Sequence, residues 1–445
     1  MPEKNETKLI QKKILRNPLM WKFRFYGFIK NLRFFEPYLL IMLLVYFSDS
    51  QFPLLKIGTL ILVQEVFTYV FEVPSGILAD KFGKKNELLF CFVFYIISFG
   101  LYFVGLGAST RYVFILFLAA AFYGLGESFR SGTHKAMILT WMDKNNYQDF
   151  KTFVYGTTRS WSLVGSAING VLSIFLVLAV GAIQWIFIMA MVPYVFDFIL
   201  ITTYPSYMND HVKSEKTIIQ EMGQGFKDVF QAFKNKNLVK GIFSSSSYDA
   251  VYKSIKDYIQ PIIKIYIAVI ILNLGLESLG LPEDDLITII LGGMYTIFYI
   301  FSSIASRNSY RVKTLFRSPK RAMDILFYLF AGVLILNSVF IWVNIPVVVI
   351  FLFLFIYIFE NFRRPLAVDF LGGIMKKEQR ATILSVEAQM KSILVFIFAP
   401  LFGLIADFSI PVLFVIIAGV IVLANTFLLF GEDKGEKQEA SAKST

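Results

Sequence analysis

The sequence predicts an all-α membrane protein, with twelve transmembrane helices in two six-helix halves related by pseudo-two-fold symmetry. Composition is the first ground. Of 445 residues, 56% are hydrophobic and only 17% are charged, with a mean hydropathy of +0.62. An average soluble protein carries roughly 25% charged residues, and a soluble globule of this size could not hide so much apolar surface. The second ground is length. Apolar runs of about 20 residues recur along nearly the whole chain, the span a helix needs to cross a hydrocarbon core of roughly 30 Å. Lipid offers the backbone no hydrogen-bond partners, so such runs must be helices or closed barrel strands. The sequence lacks the alternating short strands of a barrel. The third ground is that the second half of the chain echoes the first.

The elements follow in order. Residues 1–25 form a basic, polar tail without the apolar core and small-residue cleavage site of a signal peptide, and are read as a cytoplasmic tail. The first half, 26–206, holds spans at 26–48, 54–79, 87–107, 112–138, 152–180 and 183–205. Residues 207–240 form a linker. In it Ile218, Ile219, Met222, Phe226, Val229, Phe230 and Phe233 recur at helical spacing, as expected of an amphipathic helix on the cytoplasmic surface that tethers the halves. The second half, 241–430, holds spans at 241–272, 286–306, 322–343, 345–373, 382–405 and 409–430. Residues 431–445 are a polar tail with the composition of disorder.

The net charge of +11 is a topology signal. Alternate loops carry Lys81, Lys84 and Lys85, then Lys144 and Lys151, the lysines of the linker, the basic run from Arg307 to Arg321, and Lys376, Lys377 and Arg380. The opposite loops offer little beyond Lys56 and Arg111, and hold the acidic turn Glu283-Asp284-Asp285. The positive-inside rule therefore predicts a multi-pass protein of the cell (inner) membrane with both termini cytoplasmic. Nucleic acid is not an expected partner; the lipid bilayer is. One cysteine, Cys91, allows no intrachain disulfide, and two histidines without ligand spacing give no metal site. No cofactor is expected. No nucleotide-binding P-loop is present, and no nucleophile–base pattern rises above chance among the spans, so the chain does not read as an enzyme.

The clearest internal echo pairs Glu127-Ser128-Phe129-Arg130 in the fourth span with Glu360-Asn361-Phe362-Arg363 in the tenth. A weaker one pairs Lys30-Asn31-Leu32-Arg33, leading to Glu36-Pro37, with Lys253-Ser254-Ile255-Lys256, leading to Gln260-Pro261. Proline inside a span removes a backbone bond and kinks the helix. Kinks at matching places suit halves that rock against each other.

Between the second and third spans the chain reads Gly76-Ile77-Leu78-Ala79-Asp80-Lys81-Phe82-Gly83-Lys84-Lys85, preceded by Glu72-Val73-Pro74-Ser75. This loop resembles the signature loop of the major facilitator superfamily at every defining position, and it falls where that family has it. The copy between spans eight and nine keeps Arg307, Arg311 and Lys313 but not the glycines or the aspartate. The resemblance implies a secondary active transporter working by alternating access, a symporter, antiporter or uniporter, usually monomeric, with its site between the halves near the midplane. It also implies that Gly76, Asp80, Lys81, Gly83, Lys84 and Lys85 form a conformational latch, the aspartate helping to hold the halves in the outward-facing state. The residues alone also allow a plain turn with solvated lysines.

Ionisable residues at membrane depth cost roughly 2.5–3.5 kcal/mol each on insertion scales, so they face a cavity or a partner. The resemblance implies that spans one, four, seven and ten line the cavity, and the charges cluster there. Arg33, Glu36, Arg130, Arg159, Lys256, Arg363 and Lys391 are the candidate substrate-binding residues. Glu72, Glu127 and Glu360 are the candidates for proton coupling. Residues three apart share a helix face, which pairs Arg33 with Glu36, Glu127 with Arg130, and Glu360 with Arg363, each as a structural bridge or a switch. A cavity with both signs present predicts a small anionic or zwitterionic solute, with a proton as the coupling ion. The competing readings are an exporter of lipophilic compounds and a non-transporting sensor or assembly protein on the same fold. The numerous Phe and Tyr residues are expected mostly to face lipid.

Overall fold

The structure, a computed structural model, describes residues 4–130, 133–147, 150–209, 236–316, 319–374 and 380–425. The expected linker helix falls almost wholly outside them, as does the C-terminal tail. Regular structure among the described residues is helical throughout. The first half contains α1 (Lys4–Arg16), α2 (Pro18–Ile29), α3 (Leu39–Tyr46), α4 (Pro53–Phe82), α5 (Lys84–Gly107), α6 (Phe114–Arg130), α7 (Thr133–Lys144), α8 (Lys151–Ala179) and α9 (Trp185–Thr202). The second contains α10 (Lys236–Ile255), α11 (Ile259–Ile265), α12 (Ile267–Leu274), α13 (Glu283–Phe316), α14 (Pro319–Trp342), α15 (Pro346–Ile374), α16 (Arg380–Phe408) and α17 (Ile410–Ala424).

Eight of these helices are continuous, long and apolar enough to cross a membrane: α4, α5, α8, α9 and α13 to α16. The other four passes are broken or short. The first is α2 then α3, the fourth α6 then α7, the seventh α10 to α12, and the last is α17. The tail expected at 1–25 differs from its reading. Residues 4–16 are helical, and α2 starts at Pro18, ahead of the expected residue 26, with Asn17 accepting the Leu19 N–H at 2.9 Å. Proline at the first helical position behind an Asn cap is a strong start signal.

The first and seventh passes break at matching places. Residues 30–38 are turns rather than helix. Pro37 has no N–H to give and disfavours helical backbone at Glu36, while the Asn31 amide donates to the Gly27 carbonyl at 2.6 Å and closes α2. In the seventh pass the break falls at Lys256–Tyr258, and Pro261 sits in the first turn of α11, where its missing N–H costs nothing. The expected kink is thus a non-helical stretch, and it turns polar backbone and charged side chains inward.

Among the described residues, two long helix seams join the halves. In one, α4 lies against α16; in the other, α8 lies against α13. Small residues set both. A Cβ on Gly58 would overlap the Ala399 backbone, and Gly170 and Gly292 sit with Cβ positions against each other's carbonyl oxygens. Helices in lipid gain little from apolar burial, so close backbone approach through small residues is what holds them. The ends of α4 at Pro53 and of α16 at Phe408 share one face of the bundle, called here the far face. The face bearing the signature loop is the near face.

Candidate functional site

A cavity of about 260 Å³ lies between the halves beneath the far-face closure, lined by residues of the first-pass break, α4, α6 and the seventh-pass break. That is just under the roughly 300–1,000 Å³ of sites for drug-sized ligands. Seven of its lining side chains are charged: Arg33, Glu36, Glu127, Arg130, Lys253, Lys256 and Asp257.

Three of them form a network within the first half. Glu127, at the end of α6, accepts from Arg130 one turn along at 2.5 Å and from Arg33 at 3.2 Å. The Tyr95 hydroxyl of α5 donates to Glu127 at 2.7 Å and accepts from Arg130 Nε at 3.1 Å. Arg33 Nε donates to the Tyr194 hydroxyl of α9 at 3.1 Å, and the Tyr123 ring faces the Arg33 guanidinium at 5.9 Å. The expected Glu127–Arg130 pair is therefore present, and Arg33 joins it.

A second network bridges the halves. Lys256 reaches Glu36 at 3.2 Å and Asp257 at 2.8 Å. The Tyr295 hydroxyl of α13 donates to Asp257 at 2.7 Å, and the Tyr299 hydroxyl reaches Glu36 at 3.5 Å. Beside it Lys253 pairs with Glu65 of α4, whose side chain is 1% exposed. The expected pairing of Arg33 with Glu36 is corrected. Its three-residue spacing presumes a helix, and residues 30–38 are not helical, so the two side chains turn to different partners.

Above the cavity Gln260 acts as a crosspiece. Its Oε1 accepts the backbone N–H groups of Leu40 and Ile41 at 3.0 and 3.3 Å, and its amide donates to the Glu36 carbonyl and the Tyr295 hydroxyl. These are N–H groups that the start of α3 leaves without helical partners. Tyr38 adds a hydrogen bond to the Thr288 carbonyl at 3.2 Å. The far end of the cavity is closed by these bonds.

The remaining candidates lie off this lining. Arg363 is 1% exposed; it donates to the Ser244 and Ser245 carbonyls at 2.6 and 3.4 Å and stacks on Tyr248 at 4.3 Å, with Asp249 at 3.9 Å. The expected Glu360–Arg363 bridge is thus replaced by bonds to α10, because the arginine points away from its own helix. Glu360 is buried, with one carboxylate oxygen lacking a hydrogen-bond partner. Arg159 crosses between halves to Asn361 at 3.2 Å. Lys391 is half-buried on α16, and Glu72 half-buried on α4. In the signature loop Gly83 adopts φ +94° and ends α4. The Lys85 N–H donates to the Asn209 side chain at 3.0 Å, and its amine donates to the Thr202 and Tyr204 carbonyls at the end of α9. Gly76 is exposed, with no neighbour near its Cβ position, and Lys84 is half-buried. The side chains of Asp80 and Lys81 lie outside those described.

The tyrosines correct the expectation that they mostly face lipid. Tyr95, Tyr194, Tyr295 and Tyr357 are buried, and the first three donate to or accept from the charged networks. Their positions carry the signal: tyrosine in a membrane protein favours the two interfaces, so tyrosine at mid-span implies an inward hydroxyl partner. Asp257 and Gln260 were not among the candidates; both belong to the broken segment before or within α11.

Comparison with known proteins agrees with this architecture. A sequence profile described as Major Facilitator Superfamily matches residues 26–319. An uncharacterized MFS-type transporter, YxaM, of Bacillus subtilis (strain 168) is 24% identical over 393 residues, covering 84% of this chain and 87% of that protein. The crystal structure of the nucleoside transporter NupG superposes with a TM-score of 0.65 at 12% identity, covering 93% of this chain and 98% of that one. That of a D-xylose-proton symporter superposes with a TM-score of 0.65 at 13% identity, covering 91% and 96%.

Proposed function

We propose that this chain, which belongs to the Major Facilitator Superfamily and is thus a multi-pass membrane transporter rather than an enzyme, carries a small anionic or zwitterionic solute by alternating access. The observation that supports this is the cavity between the halves with seven charged side chains in its lining. A lipophilic solute would have to desolvate these groups without compensating them, which is costly. A charged solute replaces the water it displaces with ion pairs. The halves then exchange the far-face closure for one at the near face, where Asp80 and its neighbours serve as the latch.

Proton coupling rests on the carboxylates. Glu127 is held by two arginines at once. Protonating it would release Arg33 and Arg130 toward the solute, with Glu72 on α4 and Glu360 on α15 as the further candidate carboxylates. In this reading the protein is a monomer in the cell (inner) membrane with both termini cytoplasmic, as its basic near-face loops suggest.

Thermal unfolding of the purified protein against small anions, zwitterions, cations, sugars and lipophilic drugs tests the reading, since a ligand of the folded state raises apparent stability by mass action. Stabilisation by anions or zwitterions, lost in Arg33→Ala and Arg130→Ala, is expected. Stabilisation confined to lipophilic cations would overturn it.

A further inference from the structure

The charged lining divides into two groups of opposite net sign. At one end, Arg33 and Arg130 share a single carboxylate, Glu127. At the other, Glu36 and Asp257 share a single amine, Lys256. The remaining charged side chain of the lining, Lys253, is matched by Glu65. The first group thus has one positive charge in excess and the second one negative charge. All six side chains are between 17% and 31% exposed, so water screens the excess only in part.

Arg33 and Glu36 attract each other across the cavity, which offsets part of each excess, and the neighbouring hydroxyls carry no charge to cancel the rest. Tyr95 and Tyr194 are neutral and hydrogen-bond the arginine end; Tyr295 and Tyr299 do the same at the acidic end. A net anion would satisfy the arginine end and leave Glu36 and Asp257 sharing one amine. A net cation would do the reverse. A solute bearing both charges compensates both ends, and the occupied cavity stays neutral.

We propose that the transported solute is a zwitterion, its anionic group bound by Arg33 and Arg130 and its cationic group by Glu36 and Asp257. This rests on the reading above that the cavity is the transport site. The acidic end is contributed jointly by the first-pass break and the seventh-pass break, one from each half, so the cationic group would hold the two halves together. The arginine end belongs to the first half alone.

Matched ligand sets test this on the full-length protein purified in detergent. Isothermal titration would compare L-alanine, 5-aminovalerate, glycine betaine and alanyl-alanine with the corresponding acids lacking the cationic group, the amines lacking the carboxylate, and sucrose. The expected result is a zwitterion that binds about tenfold or more tighter than both its acid and its amine. In Asp257→Asn the acid should close that gap, because the unmatched negative charge is gone. The wild-type comparison needs no variant, so a misfolded mutant leaves the test intact. An acid binding as tightly as its zwitterion, or binding by sucrose alone, overturns the zwitterion while leaving a transporter with a central polar site. Binding by no class overturns both readings.

Discussion

The carboxylate of Asp407, at the end of α16, accepts the backbone N–H of Leu55, at the start of α4, at 2.8 Å. Its other oxygen accepts the Leu54 N–H at 2.9 Å. Helix α4 opens with Phe52, whose side chain cannot cap, and Pro53, which has no N–H, so Leu54 and Leu55 carry the orphan donors of the first turn. The cap comes from the other half of the molecule. A negative charge at a helix N-terminus is also favoured by the helix dipole. Both partners stand at the seam between α4 and α16, so parting the halves at the far face would break this bond.

Asp407→Ala should therefore open the far face more often without unfolding either half. Hydrogen bonds to charged groups contribute about 1.5–3 kcal/mol, which corresponds to roughly a tenfold or larger shift in a two-state equilibrium. Leu43→Cys, which lines the cavity below the closure, reports it. Its modification by an impermeant thiol reagent added from the far side should speed up by about that factor. The native Cys91 is fully buried and gives little background. An unchanged rate would mean that the cap does not help close the gate.

Gly58→Leu should act on the same gate by bulk. A side chain there would meet the Ala399 and Pro400 backbone, which has no flexible end to yield. Far-face labelling at Leu43→Cys should exceed that of Asp407→Ala, and solute exchange in proteoliposomes should fall by about tenfold or more. Normal exchange would show that α4 and α16 need not approach this closely.

Asp80→Asn should shift labelling the other way. If Asp80 latches the near face, its loss disfavours the state open at the far face, and Leu43→Cys should label more slowly than in the unaltered latch. Faster labelling would place Asp80 in the far-face-closed state instead.

Glu127→Gln should lower thermal stability, because it leaves two arginines sharing no charge. Breaking a buried pair costs about 3–5 kcal/mol; with side chains about one-fifth exposed, about 1–3 kcal/mol is expected. Tyr95→Phe should cost about 1 kcal/mol, and the double variant less than the sum, since both changes disrupt one network. Additive losses in a thermal-denaturation cycle would contradict a shared network.

Arg363→Met should destabilise by about 2–4 kcal/mol yet leave relative ligand preference unchanged, because the guanidinium is enclosed by Ser244, Ser245 and Tyr248. A changed preference among zwitterion, acid and amine would return Arg363 to the binding residues.

The fold was legible because each of its causes is local. Span length, loop charge and the Gly76–Lys85 loop need no knowledge of tertiary contacts. The Glu127–Arg130 pair was legible for the same reason, as one turn of helix fixes it. The pairing of Arg33 with Glu36 misleads because the break around Pro37 removes the helical spacing that the pairing assumes. The partner of Arg363 was not legible, because the choice between Glu360 and the α10 carbonyls depends on which way α15 is rotated, and an apolar helix does not reveal that. Gln260 and Asp407 bond to backbone N–H groups in the opposite half, and no sequence pattern marks a backbone group as unsatisfied until the helix end is placed against its neighbour.

Alternating access requires the two halves to part and close at the far face, and the distance between them there tests it. Tyr112 and Leu279 lie in far-face loops of opposite halves and are about half exposed. Spin labels at Tyr112→Cys and Leu279→Cys, in lipid nanodiscs, give that distance by double electron–electron resonance. Two populations are expected, a shorter one matching the closed far face and a longer one that gains weight in Asp407→Ala. A single short distance in the unaltered gate, in Asp407→Ala and in Gly58→Leu alike would contradict it.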